Sequence, residues 1–200
     1  MDESERRAEY EQQTEALYAA IGRFAVKFEH VVNAMQMCVL QTLQLNGLRS
    51  QPLAQAVTAG LTADPMTRIF GAVIAEGRKT DFEELDRKIM ADILKRIRAL
   101  TEVRNDVIHR TWFVGWASPE DTSFDKAGSW KFKNSQKGAE FAPREHEAVD
   151  FDKLSATADE LTELINRVGG CMILNQPISK IFVFDKVGGA SVPQVGANDA

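Results

Sequence analysis

From about Glu5 to Leu45 the chain holds no proline, and Leu17, Ile21, Phe24, Phe28, Val31, Met35 and Cys38 recur at alternating intervals of three and four. That spacing keeps the apolar side chains on one stripe, so it predicts a single long helix, stopped at Asn46-Gly47 where a left-handed residue is easily accommodated. Arg49 to Asp64, with Pro52, Gly60 and many small residues, reads as a connector with at most a short helical turn. Asp64-Pro65 then gives an N-cap and a first-turn proline to a second helix, whose apolar face is Met66, Ile69, Phe70, Val73 and Ile74 and which stops at Gly77.

A third helix follows. Thr80 or Asp81 can cap it, Glu83 and Glu84 suit the positive end of its dipole, and Leu85, Ile89, Ile93, Ile97, Leu100, Val103 and Val107 keep helical spacing. The period then changes. Thr111-Trp112-Phe113-Val114-Gly115-Trp116 and Ser129-Trp130-Lys131-Phe132-Lys133 are β-branched and aromatic, which predicts a β-hairpin or small sheet with a long polar turn. A last helix starts near Asp150 or Asp152, buries Leu154, Ala158, Leu161, Ile165, Val168 and Met172, and ends at Asn175-Gln176-Pro177. The pattern is that of a mainly α protein. It is expected to form one domain over residues 1–176, with a hairpin inserted at about 111–142 and a mobile tail at 177–200.

At 200 residues the chain can bury a core without staples, and 44% hydrophobic with 26% charged residues is ordinary globular composition. The formal charge of -5 restricts any nucleic-acid site to a local patch. Cys38 and Cys171 lie in apolar helical stretches without metal-ligand spacing and read as buried free thiols. The charged start Met1-Asp2-Glu3-Ser4-Glu5-Arg6-Arg7 leads into no apolar run, and no stretch approaches membrane-spanning length, so a cytoplasmic protein with no membrane association is expected. Neither a cofactor nor a metal is implied by any motif.

Candidate chemistry is sparse. Neighbouring carboxylates such as Glu83-Glu84 and Asp159-Glu160 diverge on a helix, and nucleophile elbows, phosphate-binding glycine loops and zinc helices are absent from the sequence. The three histidines are His30, beside the first apolar stripe, His146, in a charged segment, and His109, in Arg104-Asn105-Asp106-Val107-Ile108-His109 at the end of the third helix. Asn105 and His109 are four apart and share a face, while Arg104 must reach around. Arginine offers a fixed charge to a phosphate and histidine can move protons near neutrality, which together suit transesterification of an RNA phosphodiester. The plainer reading is that His109 and Arg110 only complement the negative end of the helix dipole.

The order of helices, with Arg104-Asn105 and then His109 after three intervening residues, resembles the HEPN superfamily of ribonucleases and their inactive relatives over roughly residues 10 to 175. The resemblance implies an antiparallel helical bundle and a homodimer in which the motifs of two protomers face each other across one cleft. It also implies metal-independent cleavage of RNA to a cyclic phosphate, in a toxin or defence setting, with an antitoxin or a nucleotidyltransferase as a candidate partner. Carried over by motif position, Arg104 would hold the scissile phosphate, His109 would transfer protons and Asn105 would orient one of them. Glu29, on the first helix, is a weaker carry-over as substrate contact. Arg110, Lys131, Lys133 and Lys137 are candidate RNA contacts; for the three lysines a polar strand face is as good an explanation. Two alternatives stay open: a non-catalytic HEPN-like module that binds RNA, a nucleotide or a partner protein, and a purely structural helical dimer assembled on the first helix.

Overall fold

A computed structural model describes residues 3–78, 80–115, 123–135, 138–185 and 187–193, without the side chains of 133–140. Five α-helices run over most of them: α1 (Glu3–Leu45), α2 (Gln51–Thr58), α3 (Ala63–Gly77), α4 (Glu84–Ile108) and α5 (Ala148–Ile173). The mainly α class expected from the sequence is therefore observed. Among the described residues no helix is long and apolar enough to cross a membrane.

Helix ends follow local rules. Beyond α1, Gly47 takes φ 97°, its N–H donates to Gln44 O at 3.0 Å and that of Leu48 to Leu43 O at 3.0 Å, a double closure that satisfies the last carbonyls. Asn175 at φ 48° closes α5 in the same way, with bonds from Asn175 N to Met172 O and Gln176 N to Cys171 O. At the start of α4 the Asp86 carboxylate accepts from Glu83 N at 3.2 Å, and at the start of α5 Asp150 accepts from Glu147 N at 3.2 Å. Helix α2 stands where a connector was expected. Ser50 caps it by accepting from Leu53 N, Pro52 sits in its first turn, and Ala54 and Thr58 are its buried positions, too few to register as an apolar stripe.

The chain groups into two compact units, Met1–Phe28 with Glu102–Ala158, and Glu29–Thr101 with Asp159–Ala200, so α1, α4 and α5 each contribute to both. In the second unit Val31, Met35, Phe70, Ile74, Ile89, Ile93, Ile97, Leu161, Ile165 and Val168 are fully buried. Thr67 Oγ1 meets Met35 Sδ at 3.7 Å, Arg96 pairs with Glu160 at 2.7 Å, and a Cβ on Gly71 would come within 2.9 Å of Leu94 Cδ1, which is how closely α3 and α4 approach. Buried Arg78 donates to Asn175 Oδ1 at 3.0 Å and lies 2.9 Å from the Asp81 carboxylate. It supplies positive charge just beyond α3, whose last turn has no basic residue. Both cysteines are free and buried, and burial, the largest influence, pushes the Cys38 thiol up to about 12.

Described residues after α5 are bonded to α4. A 3₁₀ turn at Ile178–Lys180 precedes an antiparallel pair, β4 (Val183–Asp185) and β5 (Gly189–Ser191), in the numbering that follows the three strands of the first unit. Asp86 accepts from Ser179 N at 2.6 Å, Asp92 accepts from Ala190 N at 3.0 Å, Arg96 donates to Ala190 O at 3.1 Å, and Ile178, Phe182 and Ala190 are buried. Gly189 is at φ 74°, and a Cβ there would lie 2.6 Å from Asp92 Oδ2. Gly189→Ala is accordingly expected to cost about 1–2 kcal/mol from the left-handed backbone alone. Thermal melting should fall by several degrees; an unchanged midpoint would contradict this account of the turn.

The first unit buries Leu17, Phe24, Phe28, Val107, Ala127 and Phe151 and carries a sheet of order β1-β2-β3, all antiparallel: β1 (Thr111–Phe113), β2 (Lys126–Ser135) and β3 (Gly138–Glu147). The expected hairpin is thus a three-stranded sheet that extends past residue 142 to 147. Trp116 and Lys137 lie outside the described residues.

Candidate functional site

Helix α4 carries the Arg104 to His109 motif through its last turn. His109 N still donates to Asn105 O at 3.1 Å, and Val107 O accepts from Arg110 N at 3.5 Å and from the Trp112 indole at 2.7 Å. Trp112 also packs its ring at 5.6 Å from His146 and 5.5 Å from Phe151. Chain reversal after His109 is therefore set by an aromatic cap, and His109 is left exposed beside it.

Arg104 is half-buried, with its guanidinium 5.3 Å from the centre of the Phe28 ring. Its Nη1 donates to Asn105 Oδ1 at 3.4 Å, so the arginine and the polar residue of the motif are joined directly. Among the described residues no side chain bonds the His109 imidazole. Glu29 is an exposed position of α1, and so is His30.

Asp106, in the middle of the motif, organises the surroundings. Its Oδ2 accepts from Arg110 Nε at 3.1 Å and Nη2 at 3.0 Å and from Arg144 Nη1 at 2.8 Å, while Lys131 Nζ lies 3.7 Å from Oδ1. Arg110, whose side chain is only 1% exposed, also donates to Ala142 O at 2.9 Å. The guanidinium is thus engaged in fastening α4 to the sheet. Lys131 is part-exposed on the same face of the sheet, and Lys133 follows two positions along β2, opposite Glu140.

Sequence reasoning missed Asp106 and Arg144. The spacing of four between Asp106 and Arg110 was a readable signal for the first. Arg144 reaches Asp106 only through the register that sets Ser129 opposite Arg144, which no local pattern announces. Burial works against ionisation of Asp106, but the hydrogen bond from Arg110 and the charges of Arg110, Arg144 and Lys131 outweigh it and hold the carboxyl below its ordinary range. A depressed folded-state value gives stability that is complete above the unfolded value, about 3.9, and is lost as pH falls through the folded one. The stability gap between wild type and Asp106→Asn should therefore narrow below about pH 4 in urea titrations. A gap that stays constant down to pH 2 would count against this charge arrangement. For His146, burial is the chief influence and lowers the imidazole below 6.5; Arg144 and Arg110 add to that, while Asp150 and Asp106 oppose it.

Among the described residues no group of three or more His, Cys, Asp or Glu is gathered to hold a metal ion. Compared with known proteins, the chain matches no family model, no curated protein and no solved structure.

Proposed function

We propose that the chain is a metal-independent endoribonuclease of the toxin or defence kind, acting through Arg104, Asn105 and His109 and completed by a second copy. The observation that carries this reading is the arrangement at the end of α4: Arg104 held on Phe28 and bonded to Asn105, with His109 exposed one turn further on. In that reaction the 2'-hydroxyl oxygen bonds to phosphorus and the 5'-oxygen leaves, so one proton is removed and one is delivered while charge builds on the phosphoryl oxygens. His109 is suited to the proton transfers and Arg104 to the charge. Two copies facing each other supply two imidazoles, one for each transfer.

The second reading, a non-catalytic module that binds RNA, nucleotide or protein, is favoured by one feature. A general base is usually oriented by a neighbouring group, and within the described residues of one protomer His109 has none. Incubating a labelled RNA with purified protein in excess EDTA separates the two. Products ending in a cyclic phosphate support the nuclease; tight binding without turnover selects the module.

A further inference from the structure

The stretch of chain that carries His109 is short and fastened at both ends. Val107, on its near side, is the last buried apolar residue of α4. Arg110, on its far side, has a buried side chain tied to Asp106 and to Ala142 O. Between them Ile108 and His109 are exposed. Trp112 closes the stretch, because its indole N–H donates at 2.7 Å to Val107 O, five residues back, and so encloses His109 in a loop of backbone. The other bond that carbonyl accepts, from Arg110 N at 3.5 Å, is at the outer limit of hydrogen bonding. The indole is the strong tie.

Trp112 is itself held from several directions. Its backbone pairs with Ser129 in the β1–β2 register, and its ring lies 5.5 Å from that of fully buried Phe151 and 5.6 Å from that of His146. A donor anchored in this way can fix the carbonyl it reaches. That matters for His109, whose imidazole no described side chain of the protomer bonds. Its placement then depends on where the backbone points Cα–Cβ, from which only a few staggered rotamers are open. Proton transfer is sensitive to such placement, since a displacement of about 1 Å can cost about 10²-fold in rate. The backbone tie takes the part that a hydrogen-bonded neighbour plays for the imidazole of a catalytic triad.

We propose that Trp112 is the positioning residue of His109, holding through its indole N–H the turn of backbone from which the imidazole projects. Its effect on rate rests on the nuclease reading of His109, whereas the hold on the backbone is measurable without turnover. Trp112 transfers no proton itself, since an indole N–H is only a donor.

Two replacements test it in the full chain. Trp112→Phe keeps a ring against Phe151 and His146 but loses the donor. β-(3-Benzothienyl)alanine in place of Trp112 puts sulfur where the N–H stands and keeps the shape, so it reads the bond even if the phenylalanine variant folds poorly. Amide hydrogen exchange followed by NMR reports on His109 N, which donates to Asn105 O at 3.1 Å. It should exchange about 5-fold faster in both proteins, the factor that one ordinary hydrogen bond represents. In RNA cleavage kcat should fall by about 10-fold with KM within about twofold, the mark of misplaced chemistry rather than lost binding. Gly189→Ala, which strains the second unit instead, should leave kcat and His109 exchange as in wild type. Unchanged exchange at His109 in the benzothienyl protein would overturn the proposal, and so would an unchanged kcat in it. A kcat loss matched by Gly189→Ala would overturn it too, by making the effect one of general stability. Faster exchange in the variants of a protein whose wild type cleaves nothing would keep the hold of Trp112 on the backbone and remove the nuclease.

Discussion

His109→Ala is expected to reduce cleavage of RNA by about 10²–10⁴-fold, the range that one positioned proton-transfer group commonly contributes. The imidazole stands exposed beyond the last turn of α4, and the fold gains nothing visible from it, so loss of activity should come without loss of stability. Arg104→Ala should cost about 10²–10³-fold by removing charge compensation at the phosphate. Because the residues act as a unit, the double variant should be scarcely worse than the poorer single one. If active sites draw Arg104 and His109 from different chains, mixing the two dead variants should restore part of the rate. Cleavage that survives both substitutions would remove the motif from the chemistry.

The second large effect is structural. Asp106→Ala should lower the unfolding free energy by about 3–5 kcal/mol, the loss typical when one member of a buried ion pair is deleted. What makes it large is Arg110, whose side chain is 1% exposed and would keep its charge with only the Ala142 carbonyl as acceptor. Arg144 and Lys131 can turn to water, so their share is small. Asp106→Ala/Arg110→Met removes the stranded charge and should recover most of the loss. Chemical denaturation of the three proteins checks this. A single variant within about 1 kcal/mol of wild type, or a double variant no better than the single, would show that Arg110 is not held as described.

How much of this could be read from the chain depends on range. Helices α1, α3, α4 and α5 were legible because their apolar stripes and their stops, such as Asn46-Gly47, are local. Strand β3 was not. Its run of Glu140, Pro143, Arg144, Glu145 and Glu147 has poor strand propensity, and only its register with β2 makes it a strand. The bonds that residues 179 and 190 make to α4 were not legible either, because the groups they meet lie some ninety positions earlier in the chain. The motif itself was visible as residues, but the part of Asp106 in it was not, since two of its three cations come from strands.

That anchoring of the tail fixes where the chain can be shortened. Deleting everything after Gln176 would strip Asp86 of Ser179 and Asp92 and Arg96 of Ala190, and would open the space now filled by Ile178 and Phe182. An affinity tag fused beyond Ser191 leaves all three bonds intact. The bonds to Ser179 and Ala190 on either side of Lys180 also make it a poor trypsin site in the folded protein, so resistance to nicking there is a simple bench assay for whether α4 is correctly dressed.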